Sequence, residues 1–115
     1  MIKANDLRIG NLVIENEFPN IYSQIQSISF NGYASCTYND SVNVNDLTPI
    51  PLTEEWLIKM GFEKTPYEFK NDNFSFNFKY SSLYNSVALI KDDVKYVHQM
   101  QNLIYALTNE ELTIL

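Results

Sequence analysis

Lys95-Tyr-Val-His-Gln-Met-Gln-Asn-Leu-Ile-Tyr-Ala-Leu-Thr-Asn-Glu-Glu-Leu112 is the stretch whose reading decides the fold. With Val94 before it, Val97, Met100, Ile104 and Leu107 recur at the spacing of a helix with one apolar stripe, which Tyr96 and Leu103 widen. The spacing predicts a helix over residues 94–107, capped by Asp92-Asp93. Thr108-Asn-Glu-Glu111 has the form of a capping box, so a kink or a short last turn through Leu112 is expected there. A helix with one apolar stripe needs a surface to cover, and the chain before it reads as strands.

Working backwards, Val87-Ala-Leu-Ile90 is apolar on both faces and reads as a central strand. Phe74-Ser-Phe-Asn-Phe-Lys-Tyr80 alternates over seven residues, with Phe74, Phe76, Phe78 and Tyr80 on one face. With Tyr67-Glu-Phe69 these segments predict a second antiparallel β segment over 66–90, lying under the terminal helix. Ahead of it, Thr53 caps a short helix over 54–60, with Glu54 and Glu55 in its first turn and Gly61 at its end. Leu52 and Leu57 form a hydrophobic staple around that cap, and Trp56, Leu57 and Met60 face inward. Pro49 and Pro51 hold the junction before it extended.

Residues 1–50 read as a strongly bent antiparallel meander, an SH3-like or partial barrel. Leu12-Val-Ile14 is a strand entered through Gly10, where a positive φ or a close strand approach is expected. The strand Ile21–Phe30 switches parity between Gln26 and Ile28, which predicts a bulge. Asn31-Gly32 predicts a two-residue hairpin with positive φ at both positions, followed by strands at Tyr33–Tyr38 and Val42–Val44. Strands and helices are segregated, so the class is α+β, in one domain over 1–115.

A chain of 115 residues buries roughly 65% of its unfolded surface, enough for a core without staples. One cysteine, Cys36, rules out an internal disulfide and suits a reducing compartment. The N-terminus is polar by its fifth residue, and no apolar run exceeds five residues, so a cytoplasmic protein without a membrane span is expected. The net charge of −6 and the scattering of eight cationic residues, no two adjacent, disfavour nucleic-acid binding.

Catalytic chemistry finds little support. His98, the one histidine, has no acidic or nucleophilic neighbour on its helix and lies at the border of the buried face. Cys36 sits between Ser35 and Thr37 in a strand, away from cations and helix starts, as a buried thiol would. One His and one Cys do not make a zinc site, and phosphate-loop, dinucleotide and nucleophile-elbow motifs are missing. The expectation is a non-enzyme with no metal and no cofactor. The tyrosines Tyr22, Tyr33, Tyr38, Tyr67, Tyr84 and Tyr105 are the candidate partner-binding surface, since tyrosine offers contact area with few rotors.

Three segments carry a resemblance: Leu7-Arg-Ile-Gly-Asn-Leu-Val13, Ile50-Pro-Leu-Thr-Glu-Glu-Trp-Leu-Ile-Lys-Met-Gly-Phe62 and Tyr96–Leu112. In order and spacing the chain resembles a family of small proteins encoded by bacteriophages and mobile elements. Asn109 stands where that family usually has Gly. The family brings no established activity, so the resemblance implies only context. In that context the expected function is binding to a protein partner, as an inhibitor of a basic, nucleic-acid-handling host defence enzyme (an anti-defence or anti-CRISPR-like role). The alternative is a nucleic-acid-binding accessory that uses the N-terminal sheet.

Overall fold

The computed structural model describes residue 2 and residues 4–114. The fold is α+β, with two five-stranded antiparallel sheets and two α-helices. The first sheet comprises β1 (Leu12–Glu15), β2 (Ser23–Ile28), β3 (Tyr33–Cys36), β4 (Val42–Asn43) and β5 (Leu47–Thr48), in the order β4-β3-β2-β1-β5. A 3-10 turn, Val44–Asp46, carries the chain from β4 across to β5, which pairs with β1. The sheet therefore curls around Val13, Ile25, Ala34, Cys36, Val44 and Leu47, with Ile2 and Leu7 closing one end. It is not a closed barrel, because β4 and β5 end the sheet without pairing to each other.

Two backbone features shape the curl. The β2–β3 register shifts between Ile25 and Ser27, the expected bulge, so both Ile25 and the half-buried Ile28 turn inward. Gly10 has φ +96°, and its N–H donates to Ile25 C=O at 2.8 Å, bringing the entry loop onto β2. The hairpin after β2 differs from expectation. The Gly32 N–H donates to Ser29 C=O, which centres the turn on Phe30 and Asn31, and Gly32 alone takes positive φ (+87°). This is a three-residue loop with a left-handed glycine at its end, and Phe30 stands fully exposed at the tip.

Helix α1 spans Glu54–Lys59, one residue short of the expected range, because Met60 is already its C-cap and Gly61 follows at φ +92°. The Thr53 hydroxyl accepts from the Trp56 N–H, and Leu52 and Leu57 share one buried cluster, as the staple predicts. Leu57 and Met60 are buried, and Trp56 is half-buried against them.

The second sheet is a meander of five short strands rather than three: β6 (Glu63–Lys64), β7 (Phe69–Lys70), β8 (Ser75–Asn77), β9 (Ser82–Tyr84) and β10 (Leu89–Lys91). Asparagine side chains cut the expected strands short. Asn77 Oδ1 accepts from the Lys79 N–H and turns the chain, so Phe76 is buried, Phe74 half-buried, and Phe78 and Tyr80 exposed. Asn85 Oδ1 takes the N–H groups of Val87 and Ala88, which makes them a turn. The segment expected at the centre is consequently an edge, with Val87 88% exposed.

Helix α2 spans Val97–Thr108, not 94–107. Asp92-Asp93 does not cap it. Asp93 takes φ +58°, Val94 is buried but extended, and the side chain of Gln99 reaches back to accept from the N–H groups of Lys95 and Tyr96. Thr108 does not begin a further turn either. It is the last helical residue, its hydroxyl donates to Ile104 C=O, and Asn109 ends the helix at φ +58°. Val97, Met100 and Ile104 cover Phe69, Phe76 and Leu83 in one core with Leu57, Met60 and Phe62. The polar side of α2 holds the entry loop of the first sheet. Gln101 accepts from Leu12 N–H (2.9 Å) and donates to Gly10 C=O (3.2 Å), while Asn102 bonds Asn11 and the Asp6 carbonyl. Past the helix, Glu111 receives both terminal nitrogens of Arg8, which also lies 4.2 Å over the Tyr105 ring.

Candidate functional site

The first sheet has an electrostatic character the second does not share. From Ile9 through Ile58 the chain contains no Lys or Arg, yet it carries Glu15, Glu17, Asp40 and Asp46 within or beside the sheet. The ion pairs among the described residues are Arg8–Glu111, Lys59–Glu55, Lys64–Glu54 and Lys95–Asp93. None of them reaches these four acids.

Three of the four acids meet at one place. β1 ends on Glu15, whose side chain turns inward with Val13 because both share a parity. The buried carboxylate accepts from the Ser23 hydroxyl, from the Tyr38 N–H (3.2 Å) and from the Asn39 side-chain amide (2.7 Å). Ser23 in turn accepts from the Thr37 N–H (3.1 Å). A buried charge needs such donors, and here all are neutral, so the negative charge is held without being cancelled. Beside it opens a cavity of about 410 Å³ lined by Glu15, Asn16, Glu17, Tyr33, Asn39, Ser41, Val42, Asn43 and Asp46. Phe18 and Tyr38, from the same two loops, pack with their ring centres 5.3 Å apart and their planes tilted by 45°. The result is an acidic, amide-lined recess with aromatic rings at its rim. Its chemistry suits a cationic group, which the carboxylates attract and the ring faces accept.

Cys36 lies in the core behind this recess. Burial, then the charge of Glu15, pushes its thiol up to about 11, with the Ser23 hydroxyl acting the other way. At neutral pH it is a protonated thiol, a poor nucleophile. His98 belongs to the other core's edge. It is 5% exposed, its ring stacks on Tyr96, and it lines a cavity with Asn5, Asp6, Lys91, Asp93 and Asn102. Burial pushes its pKa down and Asp6 opposes that shift. Cys36 and His98 thus sit in different surroundings and do not form a pair. Among the described residues, no group of three or more His, Cys, Asp or Glu side chains is placed to hold a metal ion, and no helix is long and apolar enough to cross a membrane.

The six tyrosines have different surroundings. Tyr33 lines the acidic recess and Tyr38 stands at its rim. Tyr22 packs edge-on against Trp56, Tyr67 is exposed between β6 and β7, Tyr84 is half-buried in β9, and Tyr105 lies under Arg8. Sequence reading missed Glu15, which stands just past the expected strand Leu12–Ile14. Its parity with Leu47 across the β1–β5 pair was the available signal, but that pairing is visible only in the fold. A scan against protein-family models, a search of curated proteins and a search of solved structures each gave no match.

Proposed function

We propose that this protein acts by binding a basic protein partner through the acidic recess of its first sheet. The observation that carries the reading is the run from Ile9 to Ile58 without a cation, folded so that Glu15, Glu17 and Asp46 line one cavity beside exposed aromatic rings. Interfaces are steered by charge complementarity and anchored by aromatics, and the recess offers both. The basic groove of a nucleic-acid-handling enzyme is one surface of this kind. Inhibition of a host defence nuclease, in the bacteriophage or mobile-element context that the sequence resemblance implies, is the narrower form of the proposal. The same feature argues against the nucleic-acid-binding alternative, because phosphates need cations and this sheet has none.

The test uses a labelled arginine-rich peptide and a nuclease with a basic substrate groove. Both are expected to bind at low ionic strength and to weaken towards about 0.15 M salt. Glu17→Lys combined with Asp46→Lys places two cations in the recess and is expected to abolish binding. Undiminished binding by that folded double variant, or no binding by the native protein, overturns the proposal.

A further inference from the structure

The start of α2 is the joint between the two halves. The Leu52 N–H donates to Lys95 C=O and the Val97 N–H to Ile50 C=O, both at 2.9 Å, and Pro51 bridges to Tyr96. His98 follows directly. Its Nδ1 is enclosed and has no hydrogen-bond partner among the described residues. A neutral ring tolerates that position. A charged ring there would hold an N–H without an acceptor, beside the positive end of a helix.

Next to the ring lies an open cavity of about 540 Å³. The charged groups facing it are Asp6 from the 3-10 turn Ala4–Asp6, Lys91 from β10, and Asp93 from the loop before α2, which is paired with Lys95 at 3.0 Å. Asp6 is the carboxylate whose charge favours an imidazolium.

We propose that His98 is a pH-operated latch on this joint: once protonated, its ring leaves the interior for the cavity beside Asp6, and the first turn of α2 loosens from the Ile50–Leu52 segment. The sign follows from burial. In the unfolded chain His98 takes its proton near the ordinary 6.5, whereas burial in the folded chain holds its pKa lower. The latch is therefore closed above that value and is lost as pH falls through it towards the lowered folded pKa.

The experiment is backbone amide exchange, corrected for its intrinsic pH dependence, between about pH 7.5 and about pH 5.5. In the native protein the Leu52 and Val97 amides are expected to lose protection several-fold in the acid sample relative to Ile25 in β2. His98→Gln should remove that selective loss. Asp6→Asn, which keeps the histidine, should shift the opening and the imidazole titration to lower pH, and it decides the matter if the glutamine variant does not fold. Equal pH dependence at Leu52, Val97 and Ile25, or an opening indifferent to Asp6→Asn, overturns the proposal.

Discussion

The two sheets are built from the same short antiparallel strands yet differ in where charge and apolar surface reside. The second sheet shares a core with both helices, and six of the chain's eight cationic residues, from Lys59 to Lys95, lie in its half of the sequence beside acids that pair with several of them. The first sheet has a smaller core, no cation, and a buried carboxylate satisfied only by neutral donors. One half is organised for stability. The other keeps an uncancelled charge at an open recess, and the proposed binding rests on that feature.

The comparison breaks most readily in the second core. Phe76 is buried between Phe69 and Phe78 at the centre of the meander. Phe76→Ala should cost about 4 kcal/mol, read from the urea midpoint, because the cavity cannot refill from edge strands this short. A loss under about 1 kcal/mol would mean that the second sheet does not carry the stability assigned to it.

The seam between the halves comes next. Gln101→Leu keeps the helix but leaves the buried Leu12 N–H without its side-chain partner, and leaves the Gly10 carbonyl with only the Gln24 amide. The unsatisfied Leu12 N–H together with the weakened Gly10 contact should cost about 2 to 3 kcal/mol. The signature is selective, since exchange should quicken at Leu12 more than at Phe76. The two halves are then coupled through these polar groups as well as through Leu12 and Ile14 of β1, which pack into the second core.

This seam also explains what the sequence made legible. The apolar stripe of α2 and the caps of α1 are local patterns, and both helices lie where the pattern puts them to within about three residues. Gln101 and Asn102 look like an ordinary solvated face, because their partners at Asp6, Gly10, Asn11 and Leu12 are some ninety residues away. The strand limits were obscured by asparagine. Fourteen of them stand in the chain, and Asn43, Asn71, Asn77 and Asn85 each accept from an N–H two residues on, ending strands that hydrophobic alternation alone would extend. The lack of cations from Ile9 to Ile58 stands in the sequence, but the recess formed by Glu15, Glu17 and Asp46 needed the β1–β5 pairing to bring them together.

Cys36 gives a smaller and more local test of the first core. Its thiol is raised from 9.0 to about 11, so the unfolded chain loses its proton first as pH rises. Stability should then be complete below pH 9 and fall by about 2 kcal/mol towards pH 11. Cys36→Ala should flatten that decline relative to the native protein in parallel urea titrations. Rapid labelling of the folded protein by a thiol reagent near neutral pH would contradict the burial on which this rests.

The smallest effect on stability separates the two sheets most sharply. Glu17 is exposed at the recess and makes no ion pair among the described residues, so Glu17→Lys should change the urea midpoint by less than about 0.5 kcal/mol. The relief of repulsion among Glu15, Glu17 and Asp46 acts in the stabilising direction. A surface kept acidic for folding would lose stability on that reversal. A surface kept acidic for a partner should lose binding while the fold stays intact or gains, and the two measurements on this one variant distinguish those cases.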